Sequence, residues 1–223
     1  MPAPKPKNEA KRLNILWQYD VLDTVPEKVF DDLTDLAATI CEAPIALISL
    51  VDEDRQWFKA KTGVTISETS RDISFCAHAI LGDDLFIIPD ATKDNRFKNN
   101  PLVIAKPKIR FYAGAPLITP DGHALGSLCV MDKVPRKLRP DQQQALRVLA
   151  HHVVSQLELR RHALELTAVN QSHEQLKAEL NRAKVEIERL RKILGRFQSA
   201  KFSVTSKSAV RRIAAVSKTS RSA

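Results

Sequence analysis

The run Arg71-Asp72-Ile73-Ser74-Phe75-Cys76-Ala77-His78-Ala79-Ile80 gathers a guanidinium, a thiol and an imidazole in one short stretch. Beside Arg71 and a helix N-terminus, Cys76 would have a lowered pKa and the reactivity of a redox switch; the plainer reading is a small buried hydrophobe. His78 is either a ligand contact or a satisfied, partly buried histidine. The spacing of Phe75, Ala79 and Ile80 predicts a short helix, with Ser74 or Asp72 capping its first turn. Residues two apart on a helix leave by different faces, so Cys76 and His78 cannot grip one metal ion together. Further ligands would have to come from loops, and His123 sits in a predicted turn. The helix is therefore read as the wall of a small-molecule pocket. Arg96, Arg110 and Tyr112 flank a long irregular stretch and are candidates for holding an anion, with Arg110 favoured because it directly precedes a buried strand. Asp90 and Asp132 are candidate acceptors at strand ends, where turn-forming aspartates are also common. No Ser/His/Asp set, paired-carboxylate spacing or glycine-rich phosphate loop is present.

These side chains need a scaffold, and 223 residues with 43% hydrophobic and 27% charged composition supply one. The length suits a single domain of about 130–150 residues plus extensions. The net charge of +9 sits at the ends: Lys5, Lys7, Lys11 and Arg12 stand against Glu9, and residues 196–223 hold seven basic groups and no acid. The remainder carries 24 basic and 25 acidic residues, so no strongly basic folded surface is expected. Cys41, Cys76 and Cys129 lie in apolar contexts without paired spacing, as for buried, reduced thiols of the cytoplasm. The Pro-Lys leader lacks the apolar segment of a secretory signal, and no run approaches a membrane span.

Taken in order, Arg12 to Leu22 predicts a helix with Ile15, Leu16, Tyr19 and Leu22 near one face. A second helix runs from about Pro26 to Cys41 with a stripe of Phe30, Leu33, Leu36, Ala37 and Ile40. Pro44–Asp52 reads as a buried strand and Gln56–Ala60 as its hairpin partner. Leu85–Ile88 is a further strand, and residues 94–109 form a loop of the length that often serves as a binding lid. Phe111–Ile118 and Ala124–Met131 are strands joined by Thr119-Pro120-Asp121-Gly122. The small residues Ala113, Gly114, Gly126 and Ser127 leave room for something close to the backbone. From Pro140 a helix continues to about Leu194, roughly 80 Å if unbroken. Leu176, Leu180, Ala183, Ile187, Leu190 and Leu194 alternate steps of four and three, a coiled-coil seam. Leu146, Leu149, Val153 and Leu157 follow another phase and pack partly on the domain, with a register shift near 157–166. Gly195 ends the helix, and a disordered Ser/Lys/Arg tail follows.

This order of elements gives an α+β domain on an antiparallel sheet. The segments Pro44–Asp52, Ser74-Phe75-Cys76-Ala77-His78, Ile88-Pro89-Asp90-Ala91, Phe111–Leu117 and Leu125–Val130 together resemble the GAF domain family, in its bacterial sensory branch. The resemblance covers about residues 13–160. It implies a six-stranded antiparallel sheet with helices behind it, a ligand pocket on the other face, and a regulatory, non-enzymatic role. A pocket of that kind would draw on Ser49, Trp57, Phe75, Cys76, His78, Asp90, Arg110, Tyr112 and Cys129. The resemblance leaves the ligand and any cofactor unknown, because GAF domains bind cyclic nucleotides, bilins, haem, amino-acid-like metabolites or nothing known. Bilin-binding members attach the pigment through a cysteine late in the domain followed directly by histidine, whereas Cys76 is early and separated from His78. The Asn-Lys-Phe-Asp-Glu pattern of cyclic-nucleotide members is missing; Asn95-Arg96-Phe97-Lys98 lacks its acidic end. Ser172-His173-Glu174-Gln175-Leu176-Lys177 is similar to the phospho-acceptor box of histidine kinases, but the Pro is absent and the Leu is out of step. His173 is read instead as a polar seam residue whose protonation weakens pairing.

The expected organisation is a disordered basic leader (1–11), a GAF-like sensory domain (12–160), a coiled-coil helix (161–195) and a basic tail (196–223). The expected partners are an unidentified small-molecule ligand and a second copy of the chain through the C-terminal helix. The tail would add weak electrostatic contact with nucleic acid or an acidic protein. The alternatives are a scaffold with a vestigial pocket and a redox sensor using Cys76.

Overall fold

The computed structural model describes residues 2–219, with side chains described as far as residue 196. The chain divides into two units, Met1–Leu164 and Glu165–Ala223. In the first, helices α1 (Glu9–Gln18) and α2 (Lys28–Cys41) precede strands β1 (Ile45–Val51), β2 (Arg55–Thr62) and β3 (Glu68–Ser70). A 3-10 turn (Arg71–Ile73) leads to α3 (Cys76–Ala79), β4 (Phe86–Ile88), α4 (Pro101–Ile104), β5 (Phe111–Ile118) and β6 (Ala124–Asp132), and α5 spans Pro140–Thr219. The six strands form one antiparallel sheet in the order β3-β2-β1-β6-β5-β4.

Every residue of β1 is buried, as befits a central strand covered on both faces. Ala46, Ile48 and Leu50 face a helical layer that includes Leu16, Phe30, Ala37, Leu146 and Val153. Ile45, Leu47 and Val51 face a second core with α3, Phe97, Val103 and Ile109. Gly126 lies against β1, where an added Cβ would meet the Ser49 carbonyl oxygen at 1.9 Å. An added Cβ at Gly114 would meet the Tyr112 hydroxyl at 2.2 Å. The room these small residues leave is thus filled by the protein itself.

Several elements differ from expectation. α1 begins at Glu9, within the stretch read as a disordered leader, because Glu9 is ion-paired to Arg12 and to Arg71. α2 starts two residues after Pro26, and its buried stripe is Phe30, Thr34, Ala37 and Cys41, leaving Leu36 exposed. The edge strand β3 has the sequence Glu-Thr-Ser, which carries no apolar alternation to announce it. The long loop is interrupted by α4, capped by the Asn100 side chain, which accepts from Leu102 N at 2.9 Å. His123 is buried, within 3.2 Å of Asn8 Nδ2 through Nδ1.

Leu146, Leu149, Val153 and Leu157 of α5 are buried against the first unit, as their phase predicts. Val148 and Leu159, on the same helix, are exposed. α5 also continues through Gly195 to Thr219. A glycine inside a helix costs about 1 kcal/mol relative to alanine, too little to end one flanked by good helix formers. Residues 220–223 of the tail lie outside the described residues.

Candidate functional site

On the sheet face opposite α5, α3 and the 89–110 flap close over an apolar cleft of about 60 Å³. Leu47, Phe58, Tyr112 and Met131 line it from the strands, Phe75 and Cys76 from the α3 segment, and Leu102, Pro107 and Ile109 from the flap. Gln56 and Thr69 are its polar groups. Gln56 Nε2 donates to Thr69 Oγ1 at 2.7 Å, and its Oε1 accepts from Ser49 Oγ at 3.4 Å and from the Ser74 hydroxyl. Ser74 in turn caps α3, its Oγ accepting from Ala77 N at 3.0 Å. One amide therefore ties β1, β2, β3 and α3 together.

The flap is sealed by stacking. Phe75 and Phe97 lie with ring centroids 4.2 Å apart and planes 7° from parallel, and Tyr112 stacks on Phe75 at 5.2 Å. His78 meets the Phe97 ring edge-on at 4.7 Å, and Arg96, held by Asp94, covers Phe86 at 4.8 Å. In the cleft wall, Cys76 Sγ lies 3.7 Å from the Cys129 Sγ behind it and accepts from the Tyr112 hydroxyl at 3.4 Å. The hydrogen bond from Cys129 is the largest influence on Cys76 and lowers its thiol below the ordinary range, against burial; the same bond, with burial, raises Cys129. Burial pushes the Tyr112 hydroxyl well up.

Of the nine residues expected at the pocket, Phe75, Cys76 and Tyr112 line the cleft. Ser49 and Cys129 lie behind it in hydrogen-bond contact with its walls, and His78 packs on Phe97 and Phe86. Trp57 is on the wrong face: it pairs with Leu50 and joins the helical-side core, because directly opposed strand residues share a face. Phe58, opposite Ser49, is the pocket residue instead, and the bulge between Ile48 and Ser49 sets that parity. Arg110 does not line the cleft; its Nη1 donates to the Val103 and Ile109 carbonyls at 2.9 and 3.1 Å. Asp90 forms a turn with Thr92 and pairs with Lys93 outside the cleft. Sequence reasoning missed Leu47 and Met131, which strand alternation would have indicated, and Phe58, whose face the bulge in the β1–β2 pairing decides. Leu102, Pro107 and Ile109 had no periodic signal. Among the described residues, no cluster of three or more His, Cys, Asp or Glu side chains could hold a metal ion. Among the described residues, no helix is long and apolar enough to cross a membrane.

Comparison with known proteins places this geometry. The chain is 48% identical over 133 residues to the cyclic di-GMP phosphodiesterase PA2567 of Pseudomonas aeruginosa, a match covering 60% of this chain and 23% of that protein. The expectation of a non-enzymatic protein is corrected by this relative, whose name is that of an enzyme; the chain spans less than a quarter of its length. Among solved structures, the GAF domain of a phosphoenolpyruvate-protein phosphotransferase from Coxiella burnetii aligns with TM-score 0.53 at 15% identity, over 70% of this chain and 96% of that one. The blue-light absorbing form of the Thermosynechococcus elongatus PixJ GAF-domain aligns with TM-score 0.51 at 16% identity, over 66% and 92%. Both likenesses show the fold. The GAF domain profile matches residues 25–157, more than half of the 223 residues and the same span that builds the sheet and its cleft, and the chain belongs to the GAF domain family.

Proposed function

We propose that this chain is the sensory module of a cyclic di-GMP signalling protein, with the apolar cleft taking a small ligand and α5 carrying the response to a phosphodiesterase activity. The observation that carries the reading is the cleft itself, roofed by a flap that rests on stacked rings rather than on strand pairing. The 48% identity to a cyclic di-GMP phosphodiesterase supports the pathway. A ligand shifts the flap only by its differential affinity for open and closed arrangements. The cleft of about 60 Å³ is far below the roughly 300–1,000 Å³ of drug-sized sites, so a metabolite must lift Leu102, Pro107 and Ile109 to enter.

The test is thermal unfolding across a panel of nucleotides, cyclic di-GMP, haem, bilins and amino acids. A ligand at a hundred times its Kd stabilises by about 2.7 kcal/mol, readable as an upward shift of several degrees. Leu102→Trp at the cleft roof is expected to abolish that shift while leaving the unliganded melting temperature nearly unchanged. The closed, ring-filled state of the cleft favours a second reading, a scaffold whose working part is α5; a flat panel would select it.

A further inference from the structure

Two thiols meet at the back of the cleft, from elements 53 residues apart in sequence. Cys76 begins α3 and Cys129 lies in β6; both are buried, and their sulfurs stand 3.7 Å apart. The two differ in access, because Cys76 lines the cleft and Cys129 does not. Around them, the Tyr112 hydroxyl reaches Cys76 Sγ at 3.4 Å and Ser127 Oγ at 3.2 Å. Cys41, the third free thiol, packs with the helical layer on the other side of the sheet.

We propose that Cys76 and Cys129 form a peroxide-responsive dithiol, with Cys76 the attacking and Cys129 the resolving thiol. The inference stands whether or not the cleft also binds a metabolite. Hydrogen peroxide, with two heavy atoms, fits about 60 Å³ with the flap closed, where a nucleotide or haem does not. The Cys76 thiolate attacks one peroxide oxygen, the O–O bond breaks, and the departing hydroxide takes a proton to leave as water, giving Cys76 sulfenic acid. The Cys129 sulfur then attacks the Cys76 sulfur, the S–O bond breaks, and hydroxide leaves with the Cys129 proton as a second water. Two thiols are oxidised to one disulfide and one peroxide is reduced to two waters. Cys76 is the attacking sulfur because it alone of the two lines the cleft, with the Tyr112 hydroxyl donating to it at 3.4 Å, and the product would tie α3 to the centre of the sheet.

The experiment exposes the full chain to a small excess of hydrogen peroxide in native buffer, then denatures, alkylates and maps peptides by mass. Expected are loss of two of the three thiols, a single cross-linked peptide joining Cys76 to Cys129, an alkylatable Cys41, and full reversal by dithiothreitol. In Cys129→Ser, Cys76 should stop at the sulfenic acid and be trapped by dimedone. In Cys76→Ser, Cys129 should remain a thiol. The wild-type map depends on no variant folding. Survival of all three thiols, a disulfide through Cys41, or Cys76 passing to sulfinic acid in the wild type would each overturn the proposal.

Discussion

Glu9→Gln should lower the unfolding free energy by about 3–5 kcal/mol, the cost of leaving buried charge unpaired. The Glu9 carboxylate is the shared partner of two arginines. Arg12 binds it in bidentate fashion, with Nε and Nη2 each donating at 2.8 Å, and Arg71 Nη1 donates at 2.5 Å. The Arg12 and Arg71 side chains are 1% and 7% exposed. Glutamine keeps the shape but removes the charge and turns amide hydrogens toward two guanidinium groups. The comparison is Glu42→Gln, whose partner Arg139 is solvated at 54%; exposed pairs of this kind contribute about 0–1 kcal/mol. Urea midpoints for the two variants give the difference directly.

The same residue sets an acid dependence. Burial alone would raise the Glu9 carboxyl, but hydrogen bonds from Arg12 and Arg71 overcome it and hold the group at about 2, against an ordinary 4.5. A group depressed in the folded state stabilises fully above its unfolded value and loses that contribution as pH falls through the folded one. The wild-type advantage over Glu9→Gln should therefore be constant above pH about 4.5 and shrink toward pH about 2. A gap that stays constant over that range would show that the carboxylate charge is not what holds α1 to the 3-10 turn.

How far the chain could be read from its residues follows from what each element is made of. β1, β5 and β6 were legible because they are short apolar runs bounded by Pro, Asp or Gly, and both of their faces are covered. β3, with Glu68, Thr69 and Ser70, shows no such run; it exists because β2 offers it a pairing edge. The pocket face depended on parity, and the bulge between Ile48 and Ser49 put Phe58 rather than Trp57 on it, a detail of backbone pairing that no side-chain pattern signals. For Arg110 the position beside a strand is visible in the sequence, and the flap carbonyls that its Nη1 reaches are not. The leader read as disordered on its Pro and Lys content, yet Glu9 meets Arg71 across 62 residues, and the Cys76–Cys129 pair is likewise a product of tertiary packing.

α5 carries the second large expectation: the chain should be a dimer at micromolar concentration, and Ile187→Lys with Leu190→Lys should convert it to monomer. In the single chain Leu176, Leu180, Ile187, Leu190 and Leu194 are 63%, 54%, 50%, 54% and 59% exposed, an apolar stripe without a partner. Long helices in water owe their stability chiefly to packing of such a stripe rather than to propensity. Their alternating steps of four and three keep the stripe on one side of a slightly underwound helix, the geometry that a second copy of the same helix satisfies knob into hole. Charged neighbours lie off the seam, where Glu186 and Arg189 already pair at 3.6 Å. Burying each leucine or isoleucine contributes roughly 1.5–3 kcal/mol, so two strands gain on the order of 10 kcal/mol before association costs. Two lysines per chain at the centre of the seam would face their copies, adding like-charge repulsion to the lost burial. Since Leu146, Leu149, Val153 and Leu157 hold the first part of α5 to the sheet, the double variant should leave the GAF fold and its thermal unfolding intact. Light scattering coupled to size-exclusion chromatography reads the mass. A wild-type monomer, or a dimer that survives both lysines, would remove α5 as the pairing element.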